Sequence, residues 1–268
     1  MSYESKIIET LHFELPYANK KRRVRVLLPD SYQTHPEKSY PVIYMHDGQN
    51  VFFDEESYSG HSWRVIESLS DNTCLDAILV AIDHAMAYRL PEYSPFEIEL
   101  PLDFKVPTYG GNGQLYGKWL VEVLKPYIDS HFPTKDDQSH TFLAGSSMGG
   151  LITAYIAGLY PDTFGGIGVF SLASWISEKA FLEFTTEHPL SKKTKVFIQV
   201  GTNEGDVKNK EPQVIKSQAY LNNSLAYYHS LLSYGHPIKN CQLKVIAGAI
   251  HEEKVWADSF PDFLKFML

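Results

Sequence analysis

Cysteine is nearly absent from this chain: Cys74 and Cys241 are the two among 268 residues. They stand far apart and neither belongs to a metal-ligand spacing. A disulfide-rich scaffold and a zinc ribbon are therefore excluded, and two reduced thiols are the expectation. No run is apolar and long enough to span a bilayer, and Met1 to Thr10 has no apolar signal core behind its charges. Positive charge is also in deficit. A net charge of -8 argues against a nucleic-acid binder, which needs a basic face. The one basic cluster, Lys20 to Arg23 with Arg25, opens a predicted strand and reads as a solvated edge. No two histidines stand at ligand spacing on a helix with a carboxylate, so no metal is expected, and no other cofactor either. Internal repeats, low-complexity tracts and linkers are lacking. The expectation is one cytoplasmic domain over 1–268, without nucleic-acid or membrane partners. Monomer and homodimer both stay open.

What is present suits a large core, with 44% hydrophobic and 21% charged residues. Ile7 to Leu15 and Arg22 to Leu28 alternate apolar with polar and read as an antiparallel hairpin. Tyr40 to Met45, Ala77 to Ile82, His140 to Ala144, Gly165 to Phe170, Lys195 to Gly201 and Gln242 to Ile246 read as further strands, most of them near-continuous apolar runs. Helical patterns lie between them: Trp63 to Leu69, Tyr116 to Asp129 with a kink expected at Pro126, Leu151 to Tyr160, and Gln213 to Tyr234. Val255 to Leu268 closes the chain. Strands alternating with helices after a hairpin predict an α/β fold, a mostly parallel sheet flanked by helices on both faces. Residues 85–113 have no clear period, and 171–189 hold a short helix. Both are candidate cap elements over a site.

The stretch around which the rest is organised is Gly145-Ser146-Ser147-Met148-Gly149, between a short apolar strand and a buried helix. That is the nucleophile-elbow pattern. The turn is tight enough to strain the serine backbone, and small residues two before and two after it leave room for strand and helix. The hydroxyl is thereby raised above the sheet edge beside the free N–H groups of a helix start. Only Ser147 has glycines at the required spacing.

A serine hydroxyl is a poor nucleophile at neutral pH. It needs a neutral imidazole to take its proton and a carboxylate to orient that imidazole. Ligands collect at the carboxyl ends of strands in such sheets. The last strand delivers His251 there. His46 and His84 are the other strand-end histidines, but both precede the serine, whereas an α/β-hydrolase triad runs serine, acid, histidine. The acid is Glu204, with Asp206 in the same loop as the alternative. An oxyanion hole takes the Met148 N–H and a second N–H from His46-Asp47-Gly48, with Gly48 the choice and Asp47 the alternative.

These motifs carry a resemblance. Tyr44-Met45-His46-Asp47-Gly48-Gln49-Asn50, Arg89 to Pro95, Leu124 to Asp129, Ala144 to Leu151 and Gly201-Thr202-Asn203-Glu204 resemble the esterase D-like family of α/β-hydrolases. Its branch nearest this chain includes feruloyl and acetyl esterases and siderophore esterases. The resemblance implies the α/β-hydrolase fold and a serine esterase. Relatives carry Gly-Thr-Asn-Asp with the last Asp as triad acid. Glu204 stands at that position here. Arg89 reads either as a cation that positions an anionic or catecholate ester or as a salt bridge to Glu92. Trp175 either lines the acyl or alcohol pocket or belongs to the core or cap. The expected function is hydrolysis of small acyl or aryl carboxylic esters through an acyl-enzyme. The alternatives are siderophore trilactone hydrolysis, acyl transfer, or binding on an inactive scaffold.

Overall fold

The computed structural model describes residues 6–18, 20–71, 76–99, 108–205 and 214–268, so Cys74 and Asp206 lie outside it. The hairpin forms as β1 (Ile8–Leu15) and β2 (Lys20–Leu27). The other strands of the main sheet are β3 (Val42–His46), β4 (Ile78–Ile82), β7 (Thr141–Ser146), β8 (Gly166–Phe170), β9 (Lys195–Gly201) and β10 (Cys241–Ile246). A separate short hairpin, β5 (Ile98–Glu99) with β6 (Thr108–Tyr109), lies in the stretch read as irregular. The eight-stranded sheet has the order β1-β2-β4-β3-β7-β8-β9-β10. β2 pairs antiparallel with both neighbours, and every pair from β4 to β10 is parallel. The mostly parallel sheet with an antiparallel N-terminal hairpin is the expected one.

Why the central strands are apolar throughout is visible in the two cores. Alternate residues of each strand face opposite sides. Val42 and Tyr44 of β3, Ile78 and Val80 of β4 and Ile198 of β9 enter one core. Ile43, Met45, Leu79 and Phe197 enter the other. The first core is covered by α3 (Gly113–Trp119), α4 (Lys125–His131), α5 (Met148–Leu159), α6 (Glu178–Glu187) and α7 (Val214–Ser233). The second is closed by α1 (Val65–Asp71) and α8 (Glu253–Met267), whose Trp256, Phe260, Phe263 and Met267 supply the expected helical stripe.

Three expectations change. Pro126 does not kink a continuous helix. α3 runs into a π-helical turn, Leu120–Leu124, and Pro126 falls in the first turn of α4. A wider turn ahead of the proline removes the demand for its missing N–H. The 85–113 stretch is not irregular at its start: Met86–Tyr88 form a 3₁₀ turn and Arg89–Tyr93 a short helix, α2, with Glu92 and Tyr93 fully buried. The basic cluster is not a solvated edge. β2 lies inside the sheet between β1 and β4, so Arg22 and Arg25 are only 2% and 3% exposed. Arg22 donates to both carboxylate oxygens of Glu92 at 2.8 Å, and Tyr17 donates to the same group. Arg25 pairs with Glu56 and Asp83.

Candidate active site

The elbow is built as the pentapeptide requires. Ser147 has φ 58° and ψ -120°, a backbone conformation that costs a non-glycine residue energy. It is held there by its N–H donating to Phe170 O at 2.8 Å and by its carbonyl accepting from Leu151 and Ala173. A Cβ on Gly145 would lie 2.7 Å from the Gly149 carbonyl group, so strand and helix approach as closely as glycine permits. α5 starts at Met148, whose N–H has no helical acceptor.

β8, β9 and β10 bring the acid and the imidazole to the same rim. Glu204 is fully buried after β9. Its Oε1 accepts from the Gly201 N–H and from Ser171 Oγ, the latter at 2.7 Å. Ser171 Oγ in turn accepts from the Trp256 indole at 2.8 Å. Oε2 faces His251 Nδ1 at 3.0 Å. A carboxylate only accepts, which assigns the Nδ1 proton to the imidazole and leaves Nε2 as its basic nitrogen. The two loops are tied together by Asn203 N–H on Ala249 O (2.9 Å) and Gly248 N–H on Thr202 Oγ1 (2.8 Å). The Trp256 ring meets the imidazole edge-on, centroids 5.0 Å apart.

Tyr220 of α7 packs against His251. Its ring lies 4.3 Å from the His251 ring. Its ring also meets that of Trp175 edge-on, and burial raises its pKa. No hydrogen bond joins Ser147 Oγ directly to His251 Nε2 among the described residues. Trp175 is half-exposed (48%) beside the Tyr220 ring, at the rim rather than in the core.

The loop after β3 is fixed from several sides. Asp47 adopts a left-handed conformation, φ 55°. Its N–H donates to Tyr93 Oη, while the Gly48 N–H has no acceptor among the described residues. Gly48 is obligatory, since a Cβ there would lie 2.8 Å from the backbone of Ala81 and Asp83. Arg25 donates to Gly48 O at 2.7 Å. Arg89 does not pair with Glu92, which Arg22 occupies. It grips both Asp47 oxygens instead, Nε to Oδ1 at 2.7 Å and a terminal nitrogen to Oδ2 at 2.8 Å. Burial alone would raise the Asp47 pKa, but the charge and hydrogen bonds of Arg89 outweigh it and hold the carboxyl below its usual range. Behind the loop, His46 Nδ1 meets Tyr116 Oη at 2.9 Å.

Ser171, Trp256, Tyr220 and Arg25 were not singled out from the sequence as parts of a site. Ser171 follows the end of β8, where strand-end polar residues collect. Trp256 reads as helix stripe and Arg25 as surface charge, while Tyr220 lies one residue before the apolar stripe of its helix. Among the described residues, no cluster of three or more His, Cys, Asp or Glu side chains could hold a metal ion.

The family model described as "Esterase: Putative esterase" matches residues 16–267. The chain belongs to this esterase family. The esterase is 27% identical over 250 residues to the uncharacterized protein YbbA of Bacillus subtilis, covering 92% of each chain. Its fold is similar to that of a ferulic acid esterase, with TM-score 0.71, 18% identity and 98% of each chain covered. It is also similar to an enterobactin esterase of Shigella flexneri, with TM-score 0.72 and 19% identity over 97% of this chain and 58% of that one. At such identity the structural likeness establishes the fold, which is that of the α/β-hydrolase esterases.

Proposed function

We propose that this esterase is a serine carboxylic ester hydrolase working through an acyl-enzyme. The observation that carries the reading is the pairing of buried Glu204 with His251 at the sheet rim where the strained Ser147 stands. Ser147 Oγ attacks the ester carbonyl as His251 Nε2 takes its proton, and Glu204 stabilises the imidazolium. The N–H groups of Gly48 and Met148 receive the oxyanion. As the tetrahedral intermediate collapses, the imidazolium gives its proton to the departing alcohol. Water then repeats the cycle on the acyl-enzyme and releases the acid. Asp206 is not needed, because Glu204 already supplies the partner of Nδ1.

The substrates are small acyl or aryl esters. The half-exposed Trp175 beside Tyr220 favours a planar aryl group at the rim. Arg89 has its charge engaged by Asp47, so its first role is to hold the oxyanion loop. Hydrolysis of a catecholate trilactone is the second reading, and the same aromatic wall supports it. We place the protein in the cytoplasm, where the free, buried thiol of Cys241 would persist. No described helix is long and apolar enough to cross a membrane.

Turnover of p-nitrophenyl acetate tests the reading. Ser147→Ala should lower kcat by roughly 10⁴-fold or more while the fold survives by circular dichroism. Wild-type turnover that persists in Ser147→Ala would remove the serine from the mechanism.

A further inference from the structure

Ser171 is fully buried directly after β8 and has φ 51°, a left-handed backbone that Asp47 and Ser147 of the site also adopt. A non-glycine residue keeps such a conformation only where its surroundings fix it. Here its N–H donates to Gln199 O of β9 at 2.7 Å, and the carbonyl before it, Phe170 O, accepts from Ser147 N–H at 2.8 Å. Ser171 thus stands between the serine elbow and the strand that leads to Glu204. Its hydroxyl has two partners, and their chemistry fixes which way its proton points. The Trp256 indole N–H can only donate, so Ser171 Oγ accepts there at 2.8 Å. The single hydroxyl proton then goes to Glu204 Oε1 at 2.7 Å, which also accepts from Gly201 N–H. We propose, on the serine-esterase reading above, that Ser171 is a positioning residue: it turns Glu204 so that His251 is held in the one tautomer that can act as base.

Two donors on Oε1 leave Oε2 as the oxygen that faces His251 Nδ1 at 3.0 Å. With Oε1 engaged as an acceptor, a proton on this carboxyl could sit only on Oε2. It would then be donated to Nδ1, the imidazole proton would move to Nε2, and Ser147 would have no base. The direction of the chain Trp256 to Ser171 to Glu204 opposes that arrangement at its far end, because every group in it donates toward the carboxylate. Trp256 also closes the circle: its ring meets the imidazole edge-on with centroids 5.0 Å apart. One side chain of α8 therefore sets the Ser171 proton and packs against the ring whose tautomer that proton controls.

Ser171→Ala removes the donor and keeps the backbone bonds. With p-nitrophenyl acetate, kcat should fall roughly 10-fold while KM stays within about twofold. Nitrogen-15 NMR of histidine-labelled protein reads the tautomer, with the His251 signals assigned by their loss in His251→Gln. The wild type should show His251 protonated at Nδ1, and Ser171→Ala a mixture of the two tautomers. Ser171→Gly, which suits the positive φ, carries the comparison if Ser171→Ala does not fold. Trp256→Phe keeps a ring beside the imidazole and leaves the Ser171 hydroxyl in place, so kcat should fall by a smaller factor. A fall as large as that of Ser171→Ala would place the control in the indole and overturn the assignment to Ser171. An unchanged tautomer, an unchanged kcat or a loss carried by KM overturns the positioning role and leaves the esterase reading standing. Wild-type turnover unaffected by Ser147→Ala overturns both.

Discussion

The His46 imidazole lies buried behind the elbow, bonded at Nδ1 to Tyr116 and unpartnered at Nε2. Burial pulls its pKa down to about 3. The Asp47 carboxylate opposes that shift, and the Arg89 and Arg22 charges add to it. The folded protein thus holds His46 neutral while the unfolded chain protonates near 6.5. This contribution to stability is complete above the unfolded value and is lost as pH falls toward about 3. Between pH 7 and pH 5 it amounts to about 2 kcal/mol at roughly 1.4 kcal/mol per pH unit. Urea unfolding of His46→Asn at the two pH values should therefore show a shallower loss than wild type. His84 and His236, also depressed by burial, are common to both proteins and cancel. Identical pH slopes would mean that His46 is not held neutral. A charged imidazole would be harmful here, because Gly145 leaves no space between it and the elbow: a Cβ there would lie 3.0 Å from His46 Cδ2.

Between elements, the buried Arg22–Glu92 pair ties β2 to α2, and α2 carries Arg89 and Tyr93 to the loop after β3. With the side chains 2% and 1% exposed, removing one partner leaves an unpaired charge in the core. Arg22→Met should cost about 3–5 kcal/mol in chemical denaturation, and Arg22→Met with Glu92→Leu should recover much of that. A double variant as unstable as the single one would show that the pair contributes more than mutual neutralisation. This tie also marks the limit of what the sequence discloses. Strands and helices were legible because continuous apolar runs and 3.6-residue stripes report burial directly; strand ends moved by at most two residues and helix ends by at most three. Ser147, Glu204 and His251 stand out as candidates because chain order and strand ends constrain them. Arg22 and Arg25 were not legible, since charge reads as surface until the strand's place inside the sheet is known. Tyr220 was not, because nothing local to a helix shows which loop its side chain will meet across the fold.

The molecule as a whole carries a net charge of -8. Arg89 is bound through two hydrogen bonds to Asp47 in the loop after β3. Glu253 lies close enough to act on its charge, and Asn50 bonds that same Glu253 carboxylate. An anionic ester therefore approaches a negative particle whose local positive charge is already engaged. Long-range repulsion of this kind is screened over about 10 Å at 0.1 M salt. Raising ionic strength from about 10 to about 150 mM should increase kcat/KM for an anionic aryl ester by a factor of two to about five, with a neutral ester of the same shape unaffected. Steady-state rates on the matched pair of esters measure it. If kcat/KM for the anionic ester falls instead, Arg89 is attracting substrate in spite of Asp47, and the specificity of the site shifts toward catecholate and other anionic esters. Arg89→Gln would then abolish the salt dependence, whereas under the arrangement argued here it disturbs the oxyanion loop and lowers kcat for both esters alike.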